Sequence, residues 1–442
     1  MVAQGISRLP EGRVNHLQKK VMYTLLFLAI YRIGVHIPVP GVDSVALGEF
    51  FKTQGANLFG MFNMFSGGAL ERFSVFALGV MPYISASIIA QLLTVVVPYL
   101  EQLSKEGEAG RKKINQYTRY ATIVLALFQG YVIAKGLESA NFQSGRLVIE
   151  GGLSWRILTM VSLAAGTAFV MWLGERITEF GVGNGMSLII FSGIVAGLPQ
   201  IIGNTYSQYS QQQMDIGRVL LVGLLVVVIV GGVVFIEQGV RQIPVQYAKR
   251  QVGGKVYGGQ NTHLPVRLNA AGVIPPIFAS SLLQFPQTLT AIAPSSPFAG
   301  LITSVFIPGG WLYNSIYVGL ILFFAFFYTS ITFKTDDIAE NLKKNGGFIP
   351  GIRPGAKTSD FIGKIVNRLT LSGALYLSAI CILPSVFADQ FGVQFYFGGT
   401  SLLIVVGTAL ETFRQIDAHR QSLRYDSFLK KGVIRPRRSG VS

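Results

Sequence analysis

Between Phe73 and Val97 the chain runs for 25 residues without a charged side chain. At helical rise such a run reaches about 37 Å, enough to cross a hydrocarbon core of about 30 Å with some tilt. The run is therefore expected to be one transmembrane helix. Just before it, Phe59–Leu70 is apolar but too short to cross, and Ser66-Gly67-Gly68 breaks it ahead of the charged pair Glu71-Arg72. A piece of that length is re-entrant or buried within protein. Half-inserted, loosened by glycine and feeding a full span, it reads as a movable element inside a membrane bundle. An amphipathic connector lying on the membrane surface is the plainer reading of the same residues.

Similar runs recur to the far end of the chain. Half of the 442 residues are hydrophobic and only 13% are charged, against about 25% charged in soluble domains. The chain is an integral membrane protein, and the even spread of the runs predicts one membrane domain. Val21–Ile33 follows a polar, basic start and resembles the core of a signal peptide, but a turn, Pro38-Val39-Pro40-Gly41, stands where a cleavage site would be. It is expected to be an uncleaved first span with Arg32 snorkelling at its outer end. The long run at 73–97 is the second. Further spans are expected at about 117–136, 154–173, 184–202, 217–236, 269–291, 309–333, 369–388 and 394–411, about ten in all, with long polar loops at 237–268 and 334–368.

Lys and Arg in the loops set orientation. The N-terminus, the 98–119 loop, the 174–183 turn, the two long loops and the tail hold about 30 of the 37. The alternate loops carry little: Lys52 in one, Arg146 in another, none in 292–308. Both termini are therefore expected in the cytoplasm, and the net charge of +16 is largely topological. Topology requires only a few charges, however, so two basic loops of thirty-odd residues point to the docking of a large cytoplasmic partner.

Several chemistries are excluded. The lone Cys381 rules out a disulfide framework, and His16, His36, His263 and His419 are scattered, so no metal site is expected. Gly351 to Thr358 imitates a phosphate loop but has the wrong glycine spacing and an extra residue before its lysine, and Gly181-Val182-Gly183-Asn184-Gly185 lacks dinucleotide spacing. No cofactor is expected. Coupled transporters place ionisable groups within their spans, whereas here Gln91, Gln129 and Gln284 are the strongest polar groups at depth. A broken-helix carrier for a neutral solute passes this test; a proton-coupled one does not. A purely structural assembly scaffold is a third reading.

Longer motifs narrow the choice. Asn63 to Leu70 (NMFSGGAL), Ala77 to Ile89 (ALGVMPYISASII), Gln116 to Tyr120 (QYTRY), Gly183 to Ser187 (GNGMS), Tyr247 to Gln251 (YAKRQ), Asn341 to Lys344 (NLKK), Pro350 to Gly355 (PGIRPG) and Phe395 to Ile404 (FYFGGTSLLI) run in order along nearly the whole chain. They resemble the SecY family, the channel subunits of the bacterial protein translocase. The resemblance implies an all-α integral membrane fold: about ten transmembrane helices in two pseudo-symmetric five-helix halves, 1–202 and 203–442, meeting in the 203–216 loop around a central pore with a re-entrant plug.

It also implies site residues. The plug is Phe62, Asn63, Met64, Phe65, Ser66, Gly67, Gly68, Ala69 and Leu70, where the glycine pair lowers helix stability by about 1 kcal/mol per residue. The pore ring is Val80, Ile84, Met186, Ile190, Ile277 and Ile404, an apolar collar that obstructs ions by dewetting. Val80/Ile84 and Met186/Ile190 are i, i+4 pairs, each able to share a helix face; Met186 stands where isoleucine is usual. The lateral gate lies between the spans at 73–97 and 269–291, with Ser85, Gln129 and Phe285 at it, and Pro82 and Pro275-Pro276 are tolerated there because neighbours re-satisfy the freed backbone groups. Lys249, Arg250, Lys255, Arg353 and Lys357 dock the ribosome and the motor ATPase SecA; phosphate-rich RNA suits basic loops.

The implied function is that of a central subunit of a protein-conducting channel, not an enzyme. It passes unfolded secretory polypeptides across the bacterial plasma (inner) membrane and releases hydrophobic segments laterally into lipid. Its partners are the SecE and SecG membrane subunits, SecA, the ribosome and the clients themselves. Signal cores can select themselves by partitioning, at roughly 0.8 kcal/mol per buried CH₂.

One prediction follows from the collar. Ile404→Asn is expected to weaken the closed seal and to increase export of clients with defective signal sequences, measured as processed client per cell; unchanged export would remove Ile404 from the ring.

Overall fold

Inside lipid a chain without a closed barrel can satisfy its peptide groups only as helix, and the apolar runs of this chain are helical. The structure, a computed structural model, describes residues 11–43, 46–48, 63, 66–139, 141–142, 145–146, 148–149, 151–211, 215–247, 250–252, 255–257, 261–292, 300, 305, 310–391 and 398–431. In chain order the elements are α1 (Glu11–Gly34), α2 (Met81–Val96), α3 (Pro98–Lys105), α4 (Glu108–Ser139), the short pair β1 (Asn141–Phe142) and β2 (Gly145–Arg146), α5 (Leu153–Phe180), α6 (Gly185–Ser210) and α7 (Ile216–Glu237). Then come β3 (Val240–Tyr247), β4 (Arg250–Val252), β5 (Lys255–Tyr257), β6 (Asn261–Arg267), α8 (Ile274–Ile292), α9 (Trp311–Thr332), α10 (Thr335–Lys344), β7 (Gly347–Phe348), α11 (Ala356–Phe391) and α12 (Gly399–Lys431). Ten of these helices have 16 residues or more and overlap the ten expected spans. Among the described residues six are long and apolar enough to cross a membrane, or seven if the bent pair α2–α3 is one span.

The run at 73–97 departs from expectation: it is not one helix. Residues 73–80 are turns interrupted by a bridge from Ser74 to Pro38, and helix begins only at Met81. Phe73 (φ 44°) and Gly79 (φ 54°) lie in the left-handed region, which a right-handed helix cannot include. Pro82 is the second helical residue and Pro275 and Pro276 the second and third of α8, where N–H groups have no helical partner in any case. These prolines therefore free no backbone group for neighbours to satisfy, contrary to the gate argument. Between α2 and α3 the axis bends by 98°. Val97, preceding Pro98, is held extended (φ −98°, ψ 114°), as a residue before proline must be.

The expected loop at 203–216 is also shorter, because α6 continues to Ser210 despite Pro199, and Asp215 caps α7 by accepting from the Gly217 N–H at 3.4 Å. Hydropathy marks where a helix crosses, not where it ends, so α4 and α11 overrun their expected spans well into polar sequence.

The chain forms two compact units. One comprises Met1–Tyr83, Asn115–Gly197 and Thr408–Ser442, the other Ile84–Ile114 and Leu198–Gly407. In the first, α4 and α5 are pinned by Arg119–Glu175 (2.7 Å) and by Arg156–Glu138. Their shared core includes Ala126, Ala134, Leu163 and Ala164, with Phe73, Ala77 and Leu78 of the turn packed into it.

The second unit holds both long basic loops, and neither is structureless. Strands β3 and β6 form a seven-pair antiparallel ladder from Val240↔Arg267 to Gln246↔Asn261. Strand β7 adds to the other edge of β3 through Gln246↔Phe348 and Tyr247↔Gly347, so one three-stranded sheet unites the two loops. Inward residues alternate as a sheet face requires: Ile243 and Val266 pack with Ile349, Ile362 and Val366, and Leu264, Ile338, Leu342 and Ile352 close the cluster. This is a small water-soluble type of core, built where hydropathy suggested only loop.

Ile362 is fully buried in that core. Ile362→Ala is expected to cost about 2–5 kcal/mol and to speed tryptic cleavage within 237–268 and 334–368 together, since both loops share the sheet; cleavage in one loop alone would contradict the shared core.

Candidate functional site

The non-helical stretch that ends at Val80 is the part of the chain whose backbone had to be arranged by other means. Ser66 closes a helical turn, and Gly67 (φ 69°) and Gly68 (φ 83°) then reverse the chain in a conformation that favours glycine. Asn63 braces the reversal. Its side-chain carbonyl accepts from the Glu71 N–H (2.9 Å), its amide donates to the Glu71 carboxylate (3.1 Å), and its backbone carbonyl accepts from Gly68 N–H (2.9 Å) and Ser66 Oγ (3.0 Å). Asn63 and residues 66–71 are thus tied together by bonds of their own.

Four neighbours in the same unit seat this turn. Tyr31, fully buried near the end of α1, donates its hydroxyl to the Ser66 carbonyl at 3.1 Å. Arg32, next along, donates Nη1 to the Gly67 carbonyl at 3.0 Å. Arg32 therefore does not merely snorkel; it holds the segment. On another side, Gly67 touches α6, where a Cβ would lie 2.7 Å from the Gly193 Cα. On the third, the strand-like loop after α1 pairs with the segment: Val39 N–H donates to Phe73 O (2.9 Å) and Val75 N–H to Ile37 O (3.0 Å). Phe76 stacks between Tyr31 (5.9 Å) and Phe169 of α5 (5.8 Å), a position open only because Gly34 has no side chain to meet it. Gly166 of α5 admits the Val75 carbonyl in the same way.

Of the residues expected to form the plug, Asn63, Ser66, Gly67, Gly68, Ala69 and Leu70 take these positions, with Ser66, Ala69 and Leu70 buried; Phe62, Met64 and Phe65 lie outside the described residues. Among the ring residues, Ile84 is buried in α2, Ile190 in α6, Ile277 in α8 and Ile404 in α12. Val80 is buried too, but in the turn before α2, so Val80 and Ile84 do not share a helix face as expected. Met186 and Ile190 both belong to α6. Met186 is half-buried and leans on α5, its Sδ 2.5 Å from where a Gly174 Cβ would stand.

Ser85 in α2 and Gln129 in α4 are half-buried, and Phe285 lies within α8. In the loops, Arg250 and Lys255 belong to the β4–β5 hairpin, pairing with Tyr257 and Val252, while Lys249 lies outside the described residues. Arg353 is exposed, and its frame explains why: Ile349 and Ile352 anchor in the loop core while Gly351 (φ 81°) and Gly355 (φ 106°) turn the chain about it. Its carbonyl accepts from Thr358 Oγ1 at 3.0 Å, and Lys357 stands exposed in the first turn of α11. Among the described residues no three His, Cys, Asp or Glu side chains gather as a metal site.

Sequence reading missed Tyr31, Gly193 and the Asn63–Glu71 brace. A signal existed for one partner only: Arg32 is a lone charge beside an uncharged run, next to a segment with backbone groups to satisfy.

Known proteins resemble this chain along nearly its whole length. The SecY family model matches residues 74–413. The protein translocase subunit SecY of Vibrio cholerae is 49% identical over 435 residues, covering 97% of each chain. Among solved structures, a protein conducting channel matches 95% of this chain and 96% of its own at TM-score 0.68 and 16% identity. A SecY protein whose plug domain is described as stabilising the closed state and maintaining a membrane seal matches over the same shares at TM-score 0.64 and 18% identity.

Gly67 has room for no side chain, and its φ of 69° strains any other residue by about 1–2 kcal/mol. In a Ser66→Cys background, where the thiol replaces a buried hydroxyl, alkylation is expected to be slow, and Gly67→Ala is expected to speed it about tenfold. An unchanged rate would mean that the seat tolerates the methyl group.

Proposed function

The chain belongs to the SecY family of protein translocase subunits, and on that premise we propose that residues 62–70 are the plug of its channel. It is the central subunit of a protein-conducting channel, through which unfolded secretory polypeptides cross the membrane and from which hydrophobic segments pass into lipid. It resides in the bacterial inner membrane as a multi-pass protein with both termini in the cytoplasm. The halves 1–202 and 203–442 flank the pore, and Val80, Ile84, Met186, Ile190, Ile277 and Ile404 form its constriction. Ser85, Gln129 and Phe285 line the lateral exit.

The observation that carries this reading is the 63–71 turn. A short segment with its own hydrogen-bonded shape, seated against α1 and α6 through backbone carbonyls and glycine, suits a part that must leave and return without unfolding. An apolar constriction would hold water and ions back while offering no fixed charge to trap a passing chain. The burial of five of the six ring residues supports the same reading.

The chain works with SecE and SecG in the membrane and takes its driving force from SecA or the ribosome; it is a conduit and not an enzyme. Arg353 and Lys357, exposed on a frame anchored by Ile349 and Ile352, support docking from the second loop, and we assign Lys249, Arg250 and Lys255 to docking from the first. The sheet core anchoring the Arg353 turn lowers the ordering cost of meeting a phosphate-rich or acidic partner surface.

The test is electrical. The chain reconstituted with its two small partners in planar bilayers is expected to be silent at rest, and deletion of 62–70 to give steady ion conductance. Silence of a folded deletion complex would overturn the plug assignment.

A further inference from the structure

A seat that opens and recloses has two requirements. The moving part must keep its shape, and whatever holds it must be breakable. Asn63 meets the first: its four hydrogen bonds to Glu71, Gly68 and Ser66 all lie within the turn, and Leu70 N–H adds a fifth to Ser66 Oγ at 3.3 Å. The second is met from α1, where two consecutive side chains donate to two consecutive carbonyls, Tyr31 to Ser66 and Arg32 to Gly67.

Resting on the plug reading above, we infer that Tyr31 and Arg32 are a latch that sets the threshold for opening, and that the 63–71 turn leaves its seat as a preformed piece. The acceptors are backbone carbonyls, so the latch reads the shape of the turn and not its side chains. Gly67 supplies that shape and the space as well, since a Cβ there would stand 2.9 Å from Arg32 Nη1. The donors stay behind when the turn moves, because Tyr31 is fixed by its stack on Phe76 (interplanar 4°). A neutral acceptor also keeps the bond breakable: a buried guanidinium–carboxylate pair would hold harder and would leave an unpaired charge on release. Opening then breaks the two latch bonds and the Gly67–Gly193 contact, unpacks Ala69 and Leu70 and loosens their bonds from Ser74 N–H and Phe73 N–H, with the internal brace intact.

The experiment compares resting conductance of the reconstituted three-subunit complex in four forms: intact, Tyr31→Phe, Arg32→Met and the pair together, each with and without residues 62–70. Tyr31→Phe removes one hydroxyl and keeps the ring stack, so it guards against misfolding of the bolder variant. With the segment present, open probability is expected to rise about fivefold for Tyr31→Phe and about tenfold or more for Arg32→Met. In the deletion background, already conducting, the same substitutions are expected to change nothing. If the deletion conducts but the substitutions leave the complete chain silent, the latch is overturned and the plug reading stands. Substitutions that raise conductance equally without the segment also overturn the latch, because they then act elsewhere. A silent deletion overturns the plug reading and the latch with it.

Discussion

A peptide group left without a partner in hydrocarbon costs several kcal/mol, and the rest of the first unit is arranged around meeting that demand where the chain is not helical. Between Ser66 and Met81 the backbone has no regular ladder. It is satisfied piece by piece: Ser74 N–H to Ala69 O, Ala77 N–H to Ser74 O and Gly79 N–H to Phe76 O within the segment, and Val39 N–H to Phe73 O and Val75 N–H to Ile37 O from outside. Phe73, in a left-handed conformation that costs about 1–3 kcal/mol, is kept there because its own N–H donates to Leu70 and its ring is buried against Trp155. Irregular backbone survives at membrane depth only where protein surrounds it in this way.

Surrounding it closely required glycine. Water does not drive helices together in lipid, so packing falls to surfaces that can approach backbone to backbone. Gly34 yields to Phe76, Gly166 to the Val75 carbonyl and Gly67 to the Gly193 backbone. Each is a place where one methyl group would push an element off its neighbour, and together they define the seat sterically. Hydrogen bonds from Tyr31 and Arg32 then select one orientation within it. The division of labour is physical: close packing gives position, and a small number of directional bonds give orientation.

On the water-facing side the rules change and so does the architecture. The two basic loops share a small core, with an antiparallel ladder, alternating inward residues and the apolar faces of α10 and α11 laid over it. Arg353 and Lys357 therefore stand exposed on folded structure. Arg353 is presented by a turn whose flanking isoleucines are sunk in the core, which makes a charge on a loop into a charge on a rigid surface.

The amino-acid sequence by itself determined the membrane class, the approximate positions of the long apolar helices and the family. Charge-free runs, loop charges and long contiguous motifs are local properties, and lipid enforces them one segment at a time. It also marked 59–70 as an oddity, because Ser66-Gly67-Gly68 cannot be a stable mid-helix. Helix ends were not legible: the left-handed Phe73 and Gly79 that delay α2 to Met81 depend on contacts with residues far along the chain. Nor were the strands β3, β6 and β7, whose partners lie about twenty and a hundred residues away. Tyr31 and Arg32 looked like span residues because nothing in their neighbourhood names Ser66 or Gly67, 35 positions on, as acceptors. Only the tertiary structure decided which buried carbonyls went to which donors, because a hydrogen bond is satisfied in space and leaves no periodic trace in the chain that makes it.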